Sequence, residues 1–260
     1  MRQWESTALA LGATAALAVG SAQAQVYTVS IDGSDAIWLA GRTDLVIPAA
    51  DQAWPGGLGR HGGPTPEEIL ETLPPIIAVT AGDQIRALDP AVGGISFFNG
   101  LGAPLYGPNG NTLSGSSLTA FGGISSYAGP QGPLVGVFLS DAVPNGAAPD
   151  GLDFTPGGLT TEFASLSPAL GQVFYIGDGK TSGGVFQTFI APTGATRLAL
   201  GIPDGFGFGG APGAYDDNDG GYRIRIGVNS VPTIPEPGTY VLMALGLVGL
   251  GLVSRRRRAD

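Results

Sequence analysis

The chain has 260 residues, of which 45 are Gly and 21 are Pro, and it contains no Cys. Gly and Pro together reach about a quarter of the chain, which borders on low-complexity composition. However, 43% of the residues are hydrophobic and only 13% are charged, which argues against a disordered chain. The net charge of −9, with 12 basic against 21 acidic residues, argues against a nucleic-acid partner. Without Cys, disulfide and thiolate chemistry are excluded.

The N-terminal segment has the three parts of a secretory signal peptide. A basic start at Met1-Arg2 is followed by an apolar, Ala-rich stretch over residues 8–19 and by an A-x-A site that ends at Ala24. This order predicts a signal peptide over residues 1–24, with a helical apolar region and cleavage between Ala24 and Gln25. The alternative is a buried N-terminal helix.

The C-terminal segment, residues 231–260, combines a Pro-rich start, an apolar helix and a basic end. The apolar run covers residues 240–253, which is shorter than the roughly 20 residues that usually span a bilayer. With local thinning of the bilayer and snorkelling of the arginines, it is just long enough to span. Four arginines directly after the run predict a cytoplasmic stop that halts export. The alternative is a permanent membrane anchor.

This tail resembles the PEP-CTERM sorting signal of Gram-negative bacteria. The matching residues are Pro235, Glu236 and Pro237, the apolar residues 245–253, and the cluster Arg255, Arg256, Arg257 and Arg258. The resemblance implies an exosortase-type processing enzyme as partner and an intermediate anchored in the inner membrane. The mature protein is then expected at the cell surface or in the extracellular polysaccharide. Such tails sometimes carry the label "ice-binding protein C-terminal", which describes the tail alone.

The body, residues 25–230, reads as short strands joined by turns. Residues 222–228 alternate between apolar side chains and Arg223 and Arg225, which is typical of a strand with one buried face. Strands are predicted over residues 26–31, 36–40, 76–80, 84–88, 134–139, 173–176, 185–190, 196–200 and 222–228. Residues 81–83 mark a turn. The pattern predicts an all-β fold, an antiparallel β-sandwich.

Three stretches of the body are not predicted as strands. Residues 44–75 form a Pro-rich insert, in which Thr65 as N-cap, Pro66 and Glu68 predict one short helix. Residues 99–133 and 144–158 are rich in Gly, Ser, Pro and Asn and predict long loops. Between residues 25 and 237 there are 7 basic and 19 acidic residues, so the mature body carries a net charge of −12.

Residues for catalysis are scarce. His61 is the single histidine, and no G-x-S-x-G motif is present. A G-x-G-x-x-G match at Gly205, Gly207 and Gly210 lacks the strand–helix context that holds a pyrophosphate. The acidic residues of the insert are explained by a helix N-terminus. An enzyme is therefore the least favoured class, and a non-enzymatic protein is expected.

An acidic stretch near the end of the body is the candidate ligand site. Asp216, Asp217, Asn218 and Asp219 are consecutive, and Asp204 precedes them across a Gly-rich loop. Crowded carboxylates repel one another unless a cation separates them. Oxygen ligands without His or Cys favour Ca²⁺ over Zn²⁺. The alternative is a solvated Asx-rich hairpin turn.

Residues 76–228 resemble the PA-I type calcium-dependent galactophilic lectins. The strongest match is PGAYDDNDG at residues 212–220, against P-G-T-Y-x-N-N-S-G in that family. Residues 186–192 with 198–204 match a strand, an A-P turn and a second strand that ends in an acidic ligand, and residues 81–85 and 106–108 are weaker matches. The resemblance implies a β-sandwich of the galactose-binding-like or jelly-roll type.

The same resemblance implies a ligand set. Asp204, Asp217 and Asn218 would give side-chain oxygens to Ca²⁺, and Ala214 and Tyr106 would give backbone carbonyls. The sugar would then be held by the ion and by Asp204, Asp217 and Asn218. Asp217 stands where the family has Asn, and Ala214 where it has Thr. The family's His-Pro-Asp-Gln segment, which contacts the sugar, has no counterpart here.

Two tryptophans are candidate platforms for sugar rings. Trp38 and Trp54 have this capacity, although Trp more often anchors a core or an insert. The function expected from the sequence is an exported protein that binds calcium and extracellular polysaccharide or another glycan. The alternative is a structural surface or biofilm matrix component without a specific ligand.

Overall fold

A computed structural model describes residues 24–46, 71–88, 92–97 and 104–230. The predicted signal peptide before Ala24 lies outside the described residues, as does the sorting segment 231–260. Most of the Pro-rich insert, with the predicted helix, His61 and Trp54, lies outside them too.

The described residues are mostly β-strand. The strands are β1 Gln25–Asp32, β2 Ile76–Ala78, β3 Gln84–Ala87, β4 Val92–Ser96, β5 Asn111–Leu118, β6 Tyr127–Gln131, β7 Val135–Leu139, β8 Leu152–Asp153, β9 Ser165–Leu166, β10 Val173–Tyr175, β11 Thr188–Ile190, β12 Arg197–Gly201, β13 Gly209–Gly210 and β14 Asp219–Val228. Helical structure in these ranges is limited to three 3₁₀ turns, Ile37–Leu39, Phe206–Phe208 and Tyr215–Asp217. None of these turns is long enough to cross a membrane.

The strands form three sheets. The large sheet has the order β1-β14-β3-β11-β9, and β4 also pairs with β14. The second sheet has the order β10-β7-β12-β2, and the third has the order β13-β5-β6-β8. Most neighbouring strands are antiparallel, whereas β9, β8 and β13 each pair in parallel with their partners β11, β6 and β5. The expected all-β class is therefore confirmed at the level of strands and sheets.

Strand β14 has the predicted alternation. Tyr222, Ile224 and Ile226 are buried, whereas Arg223 and Arg225 are exposed. Strand β1 runs antiparallel beside it over its whole length, from Gln25 opposite Val228 to Asp32 opposite Gly221. A period of two with one apolar face produces this half-buried strand.

Aromatic side chains connect the large and second sheets. The ring of Phe174 in β10 lies 5.0 Å from Phe138 in β7 and 5.1 Å from Phe189 in β11. All three side chains are fully buried. Trp38 is also fully buried, and its indole Nε1–H donates to the carbonyl oxygen of Ser125 at 3.0 Å. Trp38 is therefore a core residue and is not a platform for a sugar.

The prediction of a strand over residues 36–40 is wrong. These residues form the 3₁₀ turn Ile37–Leu39, in which the N–H of Leu39 donates to the carbonyl of Ala36 at 2.9 Å. Every side chain of the segment is buried. A short apolar run that is buried all round has no period, so it does not distinguish a strand from a helical turn.

The prediction of a long loop over residues 99–133 is also wrong, because β5 and β6 pair there. Strand β5 is rich in Ser, and Ser116 inside it donates hydrogen bonds to the carbonyls of Gly129 and Pro130. Such a strand lacks the apolar alternation by which strands are detected. The turn at residues 81–83 is confirmed, with Gly82 at φ +87°, but β2 and β3 on its two sides join different sheets.

Candidate functional site

Asp204 lies just after β12, at the start of the Gly-rich loop, and only 3% of the residue is exposed. Its own N–H donates to the hydroxyl of Tyr215 at 3.1 Å, and the N–H of Gly205 donates to its Oδ1 at 2.6 Å. The N–H of Gly213 donates to its carbonyl oxygen at 3.1 Å. These bonds hold the two ends of the Gly-rich loop together, so that the start of the acidic stretch lies beside Asp204.

Tyr215 anchors the acidic stretch in the core. It is fully buried, and its hydroxyl donates to the carbonyl oxygen of Ile202 at 2.6 Å. The residue before it, Ala214, has the left-handed conformation with φ 61° and ψ 33°. The 3₁₀ turn that follows carries Asp216 and Asp217, both half-buried. A buried tyrosine therefore determines where these two carboxylates stand.

Asn218 connects the acidic stretch to β1 and to Asp204. It is 1% exposed, and its Nδ2 donates to the carbonyl oxygen of Gly33 at 3.0 Å. Its side chain also forms a hydrogen bond with Asp204. The Oδ1 atom, however, is buried and accepts no hydrogen bond from any described residue. A buried acceptor without a donor is costly, and a cation would satisfy it.

Burial raises the pKa of Asp204 well above its usual range. The hydrogen bonds from Gly205 and Asn218 lower that pKa, and the charges of Asp217 and Asp216 raise it further. The ionised carboxylate is therefore unfavourable in its present surroundings, because burial and two like charges act together. A proton or a cation bound to Asp204 would remove this unfavourable charge.

The structure thus brings Asp204 and Asn218 into contact and places Asp217 close enough to act on Asp204 by its charge. Tyr106 lies elsewhere in the sheet. Its carbonyl accepts a hydrogen bond from the N–H of Ile95 at 2.9 Å, and Ile95 in turn pairs with Gly220, so that Tyr106 lies on the far side of Ile95 from β14. Among the described residues, no three His, Cys, Asp or Glu side chains are grouped to hold a metal ion.

Asp35 is a second buried acid, in the segment after β1. Its Oδ2 accepts a hydrogen bond from the N–H of Asp32 at 2.8 Å, and its Oδ1 accepts one from the hydroxyl of Thr72 at 3.1 Å. Burial nevertheless raises the pKa of Asp35 to about 6, against the lowering effect of these two bonds. No motif in the sequence singles out this residue, because it lies next to an ordinary strand end.

Phe206 is the residue near the site that sequence reasoning missed. It lies two positions after Asp204, and 85% of it is exposed. Gly207 beside it has φ 62°, which places the aromatic ring on a tight turn between glycines. A large aromatic side chain flanked by Gly in a loop was the available signal, because nothing in such a loop provides a core for the ring.

The C-terminal residues 233–258 match the PEP-CTERM protein-sorting motif. The motif implies an exported protein that is processed by an exosortase and sorted to the cell surface. Neither a curated protein nor a solved structure matches the chain. The predicted sorting tail is thereby confirmed, and the family of the body stays open.

Proposed function

We propose that the β-rich body of this exported protein binds Ca²⁺ at the loop of Asp204 and Asn218, and through that ion a carbohydrate. One observation carries the proposal. The buried carboxylate of Asp204 is in contact with a buried Asn218 whose Oδ1 accepts no hydrogen bond from the described residues. A buried carboxylate and a buried amide oxygen without a donor, on two side chains in contact, are unfavourable alone and suit a hard cation.

The ligand set combines side-chain and backbone oxygens. Asp204, Asp217 and Asn218 are the side-chain candidates, and the carbonyl of Ala214 completes the proposed set, whereas the carbonyl of Tyr106, expected from the resemblance, is bonded to Ile95 and is left out. Ca²⁺ takes six to eight oxygens in flexible geometry and accepts carbonyls and amides beside carboxylates. Bound there, the ion would neutralise the loop and offer open positions to neighbouring hydroxyls of a sugar.

Phe206 supports the carbohydrate part of the proposal. Its exposed ring stands on the same loop as Asp204, where the apolar face of a sugar ring would pack on it. The resemblance to galactophilic lectins suggests a hexose with neighbouring hydroxyls. The sugar-contacting segment of that family is absent here, so a different glycan from galactose is compatible with the proposal.

Thermal unfolding of the full chain, purified in mild detergent, tests the calcium part. At a calcium concentration about a hundred times Kd, stabilisation reaches about 2.7 kcal/mol, and such a change raises Tm by about 5–10 °C in a domain of this size. Mg²⁺ at the same concentration is the control. An equal Tm in EDTA and in calcium would reject the proposed calcium site.

A glycan array tests the carbohydrate part separately, with calcium and with EDTA. Calcium-dependent binding to one glycan class is expected. An array without signal, combined with a calcium-dependent Tm, would leave calcium as a structural ion. The protein would then be a surface or matrix component without a glycan ligand.

A further inference from the structure

A second concave site lies on the outward face of the large sheet, where β1 and β14 run side by side. It is an open groove of about 680 Å³. Its lining includes Thr28, Ser30 and Asp32 of β1, Arg223 and Arg225 of β14, and Val92 of β4. The volume falls within the range of roughly 300–1,000 Å³ that is usual for small-ligand sites.

The strand register arranges these side chains in two rows. Ser30 lies opposite Arg223, and Thr28 lies opposite Arg225. Residues that are directly opposite in an antiparallel pair project on the same face and are near neighbours. A row of hydroxyl groups therefore runs beside a row of guanidinium groups along the groove, and the carboxylate of Asp32 lies at one end.

Arg223 differs from other basic residues of the body. Arg42 pairs with the carboxylate of Asp44, Arg197 donates to backbone carbonyls, and Lys180 lies over an aromatic ring. The guanidinium of Arg223 makes no hydrogen bond or ion pair with the residues that the structure describes, and the side chain is exposed. The five N–H donors of a guanidinium are therefore available to a ligand.

We infer that this groove binds a carboxylate-bearing sugar. The guanidinium of Arg223 matches a carboxylate with two parallel hydrogen bonds. The hydroxyls of Thr28 and Ser30 exchange hydrogen bonds with sugar hydroxyls, and Asp32 accepts from a hydroxyl at the far end. Val92, 81% exposed at the rim, offers an apolar contact to the C–H face of a sugar ring.

Charge and shape favour a sugar acid over a second copy of this chain. In a body with a net charge of −12, a groove with two arginines is a local reversal of sign. Anionic ligands are attracted there over distances of about 10 Å at moderate salt. A stable interface between copies needs about 800 Å² from each partner, whereas a concave site with hydroxyl groups fits a ligand of a few sugar rings.

Isothermal titration of the full chain with tetragalacturonate, in EDTA and at low ionic strength, tests the inference. EDTA removes calcium, so the result does not depend on the site of Asp204. Binding is expected for the free acid and not for its methyl ester, which has the same rings without the charges. Arg223→Gln is expected to weaken binding about tenfold, a loss of about 1.4 kcal/mol.

Two further variants separate the effect of the two parallel guanidinium hydrogen bonds from that of the charge. Arg223→Lys keeps the positive charge and loses the paired hydrogen bonds, so an intermediate affinity is expected. Lys180→Gln removes one positive charge outside the groove and should leave the affinity unchanged. Arg223 is exposed, so its variants should keep the wild-type Tm.

Three results would overturn the inference. The first is no binding of tetragalacturonate by the wild type, and the second is equal binding of the acid and its ester. The third is an equal loss of affinity in Arg223→Gln and Lys180→Gln. If the first result is accompanied by salt-sensitive self-association that Arg223→Gln abolishes, the groove is assigned to a second copy of the chain.

Discussion

The side-chain amide of Asn218 donates to the carbonyl oxygen of Gly33 at 3.0 Å, and this bond joins the acidic loop to the end of β1. The two residues are also in close steric contact. A Cβ atom built on Gly33 would lie 2.9 Å from Cβ of Asn218 and 3.2 Å from Cγ2 of Ile95. Gly33 is therefore required because the acidic loop packs directly on its backbone.

Replacing Gly33 with Ala should displace Asn218. The added methyl group overpacks the contact, which costs about 1–3 kcal/mol, and the calcium-dependent rise in Tm should shrink. Gly107→Ala is the matched control, since no atom lies within 4 Å of a Cβ built there. An unchanged Tm and calcium response in Gly33→Ala would show that the acidic loop does not depend on this contact.

Asp204→Asn should have opposite effects with and without calcium. In EDTA at neutral pH the variant should be more stable than the wild type, on the order of 1–3 kcal/mol, because a buried carboxyl group whose ionisation is unfavourable is replaced by a neutral amide of the same shape. In calcium it should show no rise in Tm. Thermal unfolding in both buffers measures the two effects, and Asp150→Asn, which removes an exposed carboxylate, is the control. A variant less stable than wild type in EDTA would contradict the account of Asp204.

The raised pKa of Asp35 makes the free energy of unfolding depend on pH. Its pKa is raised from 3.8 to about 6 in the folded protein, so the proton is bound more tightly in the folded than in the unfolded state. The stabilisation is complete below pH 3.8 and is lost as the pH rises through about 6. Relative to the protonated state, the loss at neutral pH is on the order of 2–3 kcal/mol.

Asp35→Asn should therefore be more stable than the wild type at neutral pH and equal to it in acid. The amide keeps an oxygen for the N–H of Asp32, and the hydroxyl of Thr72 can turn to accept from the new N–H₂ group. Unfolding measured across the range from about pH 4 to pH 7.5 gives the difference at each pH. A constant difference at all pH values would show that Asp35 does not titrate in this range.

Phe206→Ser should weaken glycan binding and leave folding unchanged. The ring is exposed and contributes little buried surface, so the expected change in Tm is within about 1–2 °C. Loss of stacking on one sugar ring should cost about 0.5–1.5 kcal/mol, roughly a twofold to tenfold loss of affinity. Leu113→Ser, which removes another exposed apolar side chain, is the control. Equal loss of affinity in both variants would reject the role of Phe206.

Much of the large sheet could be predicted from the sequence. Strands β1 and β14 place apolar side chains on one face and polar ones on the other, so their period is visible in the chain itself. The segment around Trp38 could not be assigned, because residues buried on every side leave no period. Strand β5 was missed because its stability comes from pairing with β6 and from the hydrogen bonds of Ser116, which local sequence does not show.

The candidate site divides in the same way. The grouping of Asp204 with the acidic stretch was implied by the resemblance of residues 198–204 and 212–220 to the lectin family, and the structure places Asp204 and Asn218 in contact. The role of Gly33 depends on β1 lying beside β14, and that of Asp35 on its contact with Thr72; both bring together distant segments that no local motif reveals. Burial of a polar group is a property of the assembled fold, so the raised pKa of Asp35 could not be predicted from the sequence.

The pairing of Gln25 with Val228 also bears on the order in which the protein folds. These residues are about 200 positions apart, and contacts at such separation form slowly because a long loop must close first. The large sheet is therefore completed only after nearly the whole body has emerged. Until β14 is available, β1 lacks the strand beside which it lies in the folded body, so the pairing of the first strand with the last is among the final steps of folding.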